Sequence, residues 1–202
     1  IGALNVLLAA RQTGVERMIH TSTSEVYGTA LRVPIDESHP LQGQSPYSAS
    51  KIGADKLAES FYRSFETPVV TVRPFNTYGP RQSARAVIPA IISQALTQDV
   101  IHLGNLQSRR DLTYVTDTVA GFLRVGEAPG VAGETFNLGS GEEISIGDLA
   151  EMIIGLIGKE VKISVETERL RPEKSEVQRL LSDNSLARQR LGWQPNIRLE
   201  EG

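Results

Sequence analysis

The chain contains no cysteine, which excludes disulfides, thiolate metal sites and a cysteine nucleophile. Its three histidines, His20, His39 and His102, are scattered without the spacing of metal ligands, so no bound metal is expected. No apolar run is long enough to span a bilayer, and repeats and low-complexity tracts are missing as well. A formal net charge of -3 argues against general nucleic-acid binding. The chain opens without an initiator Met or a secretory leader. The run from Ile1 to Arg11 reads as mid-helix, and Leu199-Glu200-Glu201-Gly202 reads as the entry to another. These ends suggest a piece of a longer protein, expected in the cytoplasm.

What is present is core-forming material. At 202 residues and 40% hydrophobic content, one large domain or two small ones can be built. Apolar periodicity predicts a helix over 1–13, ended by Gly14. Another is predicted over 46–65, with Ile52, Ala54, Leu57, Ala58 and Phe61 on one face. Val69-Val70-Thr71-Val72-Arg73 is a β-branched run of the kind buried in a parallel sheet. Further strands are expected at 17–22, 100–103, 135–139 and 161–165. Further helices are expected at 87–97, 117–126 (capped by Thr116 or Asp117), 146–157 (capped by Ser145) and from 184 onward. Residues 31–45 and 73–82 read as loops. Alternating strands and helices predict an α/β fold with a parallel sheet. A dinucleotide-binding fold of that kind shows a glycine-rich first turn; Gly139-Ser140-Gly141 lacks the spacing and comes too late.

Two motifs carry the chemistry. Tyr47 and Lys51 are four residues apart in Pro46-Tyr47-Ser48-Ala49-Ser50-Lys51, and on a helix they share a face. The ammonium would favour the phenolate, suiting Tyr47 to take a proton from an alcohol while hydride leaves the same carbon. Upstream, the strand ending at Thr21 delivers Ser22, Thr23, Ser24 and Glu25 to its carboxyl end, where open α/β sheets bind ligands. Taken singly, Tyr-x3-Lys is more often a surface pair and the hydroxyls an ordinary strand end; the conjunction gives a phenol, an ammonium, hydroxyls and a carboxylate.

These motifs are not alone. Thr23-Ser24-Glu25-Val26-Tyr27-Gly28, Pro46 to Lys51, Arg73 to Pro80, Arg110-Asp111-Leu112-Thr113-Tyr114-Val115, Asn137-Leu138-Gly139, Arg171-Pro172 and Gly192-Trp193-Gln194-Pro195 occur in order. With them the chain resembles the extended short-chain dehydrogenase/reductase family, specifically its nucleotide-sugar 4,6-dehydratases. Leu41 to Tyr47 and Arg85 to Pro89 are similar to the UDP-N-acetylglucosamine branch that feeds legionaminic-type sugars. The resemblance implies a Rossmann-like doubly wound parallel sheet, here lacking its first strands and its glycine-rich NAD turn, with a small C-terminal α/β substrate domain. It assigns 1–75 and about 99–138 to the NAD-binding domain, and about 76–98 and 139–202 to the substrate domain.

It further implies NAD as cofactor, a nucleotide sugar as substrate and no metal. Tyr47 would deprotonate the sugar C4 hydroxyl, Lys51 would tune Tyr47 and hold the nicotinamide ribose, and Thr23 would bind the C4 oxygen. Glu25 would remove the C5 proton before water leaves C6. Ser22 and Phe75 fall at cofactor positions, and Asn76, Arg81, Arg85, Arg110, Asn137 and Arg171 at substrate positions. Ser24 stands where thymidine-diphosphate-glucose dehydratases carry an aspartic acid, so Glu25 is preferred as the group that shuttles the proton to the leaving oxygen. A homodimer through helices 1–13 and 46–65 is implied. Glu25 argues against a 4-epimerase, which normally lacks that carboxylate, but not against a UDP-glucuronate decarboxylase. A reading of another class is an inactive binding module, since a chain without the glycine-rich turn forms no pyrophosphate site.

Overall fold

The computed structural model describes residues 1–166, 168, 172 and 176–202. In chain order the elements are α1 (Gly2–Thr13), β1 (Met18–Thr21), a one-turn 3-10 helix (Ser24–Tyr27), α2 (Pro46–Phe65), β2 (Val69–Pro74), β3 (Asn76–Tyr78), α3 (Val87–Thr97), β4 (Val100–Leu103), β5 (Arg109–Arg110) and β6 (Leu112–Tyr114). They continue with α4 (Val115–Glu127), β7 (Thr135–Leu138), β8 (Ile144–Ser145), α5 (Ile146–Ile157), β9 (Lys162–Val165), β10 (Arg179–Leu180) and α6 (Ser185–Leu191). Among the described residues no helix is long and apolar enough to cross a membrane.

The central sheet is parallel throughout, in the order β1-β2-β7, giving the Rossmann-like α/β architecture expected. Strand periodicity sorts its side chains. Val70 and Val72 join Phe136 and Leu138 in one core with Val125 of α4, Ala187 and Leu191 of α6, and Trp193. On the other face Val69 packs with Leu7 of α1 and Ala58 and Phe61 of α2. Helices thus cover both faces, as a parallel sheet requires. α2 begins where its sequence says it should: Ser45 and Ser48 form a reciprocal capping box, and Pro46 occupies the first turn.

A second core lies beside the first. Here β4 pairs in parallel with β9, Val100 opposite Lys162, and Ile101 and Leu103 pack with Ile91, Ala95, Leu149, Ala150 and Ile153 of α3 and α5. This departs from the expected grouping: β4 was placed with the NAD-binding part, but its partner strand and its apolar face belong to the second unit. Conversely α6 and Trp193, placed with the substrate part, pack on the central sheet. The stretch after Arg73 is not simple loop either, since Asn76, Thr77 and Tyr78 pair with Leu112, Thr113 and Tyr114. Ser145 caps α5 as expected, accepting from the Asp148 N–H at 3.0 Å. α4 starts earlier than expected, with Tyr114 at its N-cap and no side-chain cap from Thr116 or Asp117.

The two cores are tied by a buried carboxylate. Asp111, between β5 and β6, accepts from the Ser140 N–H at 2.7 Å, the Ser140 hydroxyl at 2.6 Å, the Gly141 N–H at 3.0 Å and the Ser182 N–H at 3.0 Å. Burial pushes this carboxyl up, while those hydrogen bonds favour its anion. Gly139 must be small for this packing. A Cβ there would overlap the Ser182 side chain and lie 2.8 Å from Asp111 Oδ2. Gly139→Ala is expected to destabilise the fold by about 1–3 kcal/mol, read as a lower urea midpoint at unchanged slope.

Candidate active site

The carboxyl end of β1 delivers the predicted proton-handling groups. Thr23, extended at φ -161°, caps the 3-10 helix by accepting from the Glu25 N–H at 3.2 Å. That turn presents Glu25 half-buried, while Ser24 is 2% exposed and faces the interior. Ser24, expected among the catalytic groups, is thus a buried hydroxyl in this turn. On α2, Tyr47 is 51% exposed, and the Lys51 ammonium donates to the Thr21 carbonyl at 3.0 Å. Lys51 thus ties the helix to the strand end and keeps further donors for other partners. The set of phenol, ammonium and hydroxyl at a parallel strand's carboxyl end fits the ribose and nicotinamide end of a dinucleotide. Among the described residues no group of three or more His, Asp or Glu is placed to hold a metal ion.

Glu25 also lines a cleft of about 570 Å³ between the 3-10 helix, α3 and the β4–β5 connection. The same cleft takes in Asn76, Arg85 and Arg110, so four predicted site residues converge. Its walls include Ser108, His102 and Glu176, which the sequence did not single out. Glu176 Oε1 accepts from the Ser108 hydroxyl at 3.0 Å and from Arg110 Nη2 at 3.3 Å. Other predicted residues go elsewhere. Arg81, in the left-handed region at φ 69°, lines a separate apolar cleft between α3 and α5. Asn137 is fully buried: its amide donates to the Ile35 carbonyl at 3.0 Å and accepts from the Tyr27 hydroxyl at 2.7 Å. The amide of this expected substrate residue is thus engaged within the fold. Phe75 and Ser22 are likewise buried, the Phe75 ring against Tyr27 and the Ser22 hydroxyl beside Asp55. Arg171 lies outside the described residues.

Beneath these groups runs a buried polar network. Strand periodicity turns His20 and Arg73 toward α2, where Asp55 meets both. His20 Nε2 donates to Asp55 Oδ1 at 3.0 Å, and Arg73 gives Nε at 3.1 Å and Nη2 at 3.0 Å to Asp55 Oδ2. Arg73 Nη1 donates to the Tyr27 hydroxyl at 2.8 Å, and Tyr27 passes its own proton to Asn137. Burial alone would raise the Asp55 carboxyl, but the His20 hydrogen bond and the Arg73 charge hold it below the ordinary range. Burial pushes the Tyr27 phenol up to about 12 against the opposing pull of Arg73.

A three-layer α/β body with a Rossmann-like sheet and acid–base groups at a strand's carboxyl end defines the class. Within it, residues 1–202 match the family model described as GDP-mannose 4,6 dehydratase, and the chain belongs to that family. It is 39% identical over 96% of its length to mouse dTDP-D-glucose 4,6-dehydratase, spanning 55% of that protein. It is 34% identical over its whole length to UDP-glucose 4-epimerase of Mycolicibacterium smegmatis, spanning 64% of it. The dTDP-glucose 4,6-dehydratase structure from Bacillus anthracis, in complex with NAD, superposes with a TM-score of 0.90 at 28% identity, covering 100% of this chain and 64% of that one. Similar solved structures include a UDP-glucuronic acid 4-epimerase bound to NAD and an NAD-dependent NDP-hexosamine 5,6-dehydratase. The chain thus spans between about half and two thirds of the relatives it matches.

The depressed Asp55 group has a sign-determined consequence. Its anion is favoured in the folded state, so its contribution is complete above the unfolded value near 3.8 and is lost as pH falls through the lower folded value. Asp55→Asn is expected to cost about 3–5 kcal/mol near neutral pH, by leaving Arg73 unpaired. It also removes this part of the acid limb, read from urea titrations across a pH series.

Proposed function

We propose that the chain carries the acid–base and sugar-nucleotide-binding groups of an NAD-dependent nucleotide-sugar 4,6-dehydratase, with UDP-N-acetylglucosamine as the substrate. The observation that carries this reading is Glu25. It shares one short turn with Thr23 at the end of β1 and lines the cleft that also holds Asn76, Arg85 and Arg110. Support comes from the dehydratase relatives, from an NDP-hexosamine dehydratase of the same fold, and from the branch-like runs Leu41 to Tyr47 and Arg85 to Pro89.

In this reading NAD, when bound, supplies acceptance of hydride from C4 and its return at C6. Tyr47 takes the C4 hydroxyl proton, with Lys51 one turn further along α2 and Thr23 holding the C4 oxygen. The C4 ketone acidifies the C5 proton, which Glu25 removes. Water leaves from C6 with the proton Glu25 delivers, and the proton that Tyr47 took from the C4 hydroxyl would be the one that restores C5 and closes the balance. The sugar loses one water in all. A buried Ser24 leaves Glu25 as the acid for the departing hydroxyl in this turn. Arg85 and Arg110 face the diphosphate, Arg110 through its planar fork, and Asn76 adds a polar contact. Arg171 keeps its proposed diphosphate role on motif grounds alone. The nucleotide-binding unit is the one built on β1-β2-β7, and the substrate-binding unit the one built on α3, α5, β4 and β9. A homodimer through α1 and α2 belongs to the same reading, with Val6, Leu8, Tyr62 and Phe65 exposed along those helices.

Incubating the native protein with a panel of UDP-, GDP- and dTDP-hexoses tests the reaction. The expected result is a 4-keto-6-deoxy product from UDP-N-acetylglucosamine; a C4 epimer or released carbon dioxide sinks the reading. Glu25→Gln is expected to slow dehydration by about 10²–10⁴-fold while C4 oxidation persists, seen as an undehydrated 4-keto sugar trapped by borohydride.

A further inference from the structure

We infer that Tyr27 and Arg73 are positioning residues that set the turn bearing Thr23 and Glu25 against the helix bearing Tyr47 and Lys51. The inference rests on the dehydratase reading, in which two acid–base groups must address adjacent carbons of one sugar. Those groups come from different elements. Glu25 sits in a single 3-10 turn of four residues, and Tyr47 and Lys51 open the 20-residue helix α2. A single turn has little stiffness of its own, so something else must fix its place.

The buried network provides a continuous route between the two. Asp55 lies one turn beyond Lys51 on α2. Its carboxylate holds two donors of the Arg73 guanidinium, and the third hydrogen bond of that planar group goes to the Tyr27 hydroxyl. The fork is rigid, so the position of Asp55 fixes the direction in which Tyr27 is held. Tyr27 is the last residue of the turn, and Gly28 N–H closes that turn on the Glu25 carbonyl at 3.2 Å. On the far side the Tyr27 hydroxyl is anchored to Asn137 of β7.

Ring packing does not duplicate this. Tyr27 meets His39 edge-on at 5.6 Å and Phe75 at 6.5 Å, and Arg73 lies 5.0 Å from its ring. Those contacts bury the ring, and the two hydrogen bonds at its tip add the direction that fixes where the hydroxyl sits. α2 is itself fixed at two points, Asp55 and the Lys51 contact with Thr21. A shift at the Tyr27 hydroxyl therefore moves Glu25 relative to Tyr47 rather than moving both together.

Tyr27→Phe keeps the ring and removes the link. Native-state amide exchange on the chain reads the coupling without cofactor or substrate. Protection at Val26 and Gly28 is expected to fall by about tenfold or more while Lys51 keeps its own, because α2 stays fixed at Asp55 and Thr21. A loss that takes in Lys51 equally, or none, overturns the inference. In the native enzyme, per folded molecule, the variant is expected to slow the dehydration step by about 10–100-fold, with KM for the sugar nucleotide within about twofold. Undehydrated 4-keto sugar then accumulates. Arg73→Lys, which lacks the fork, is expected to behave alike. Equal slowing of oxidation and dehydration overturns the positioning role and leaves only a structural one. A wild-type enzyme that yields no 4-keto-6-deoxy sugar sinks the proposed reaction instead, and the exchange result still decides whether the Tyr27 hydroxyl holds the turn.

Discussion

An arginine on a strand covered on both faces is the constraint from which much of this molecule follows. Arg73 sits in the central strand of a parallel sheet, nearly inaccessible to water, where an unpaired charge would be very costly. The cost is met only if α2 presents a carboxylate at the matching height, and Asp55 does so. That requirement fixes the rotation and the axial position of α2 on the sheet. Since Tyr47 and Lys51 lie two turns and one turn before Asp55 on the same helix, their place at the end of β1 is settled by the same pair. Stability and the geometry of the candidate site are thus one problem, solved by one buried pair. A hydrophobic substitute of similar volume would do for packing, but it would leave the rotation of the helix to apolar contacts and the Lys51–Thr21 hydrogen bond.

The second unit solves a different problem. Two parallel strands, β4 and β9, are too few to fold alone, and α3 and α5 complete their core. The attachment to the first unit is mostly polar. Asp111 gathers backbone N–H groups from the loop after β7 and from the residue after Leu181, and Asp117 accepts from the N–H groups of Asn196 and Ile197 at 3.0 Å and 2.9 Å. Each carboxylate satisfies backbone amides of segments distant in sequence, two segments at Asp111 and one at Asp117. The cleft that opens beside this junction is lined by Glu25 and Asn76 together with Arg85 and Arg110.

The sequence made some of this legible and left the rest out of reach. α2 was readable because its signal is local, a 3.6-residue apolar stripe, and the Ser45 cap with Pro46 in the first turn agrees with where that stripe begins. The hydroxyls and carboxylate after β1 were readable because strand ends in such folds carry ligands. Asp55 was not, since it reads as one more polar residue on a surface helix. Its partners lie 35 and 18 residues away, a separation that no periodicity encodes. The engagement of Asn137 was out of reach for the same reason: its type suits a ligand, and only the tertiary contacts show both ends of its amide engaged. The two- and three-residue strands after Arg73 and around Asp111 were missed because they exist only as long-range pairs. β4 was recognised as a strand, but its pairing with β9 was not, because alternation marks a strand without naming its neighbour.

The contact between Arg110 and Glu176 gives the cleft a built-in counterion. A cationic recess facing water ordinarily collects mobile anions, and a charged guest gains entropy by setting them free. Here part of that neutralisation is covalently attached to the chain. Any anion arriving at Arg110 trades places with a tethered carboxylate instead of a dissolved salt ion, so the exchange releases less into solution. Ionic strength should then matter less to such a guest than the number of arginines in the wall suggests, and the guest must offer better geometry than a carboxylate at 3.3 Å, not charge alone.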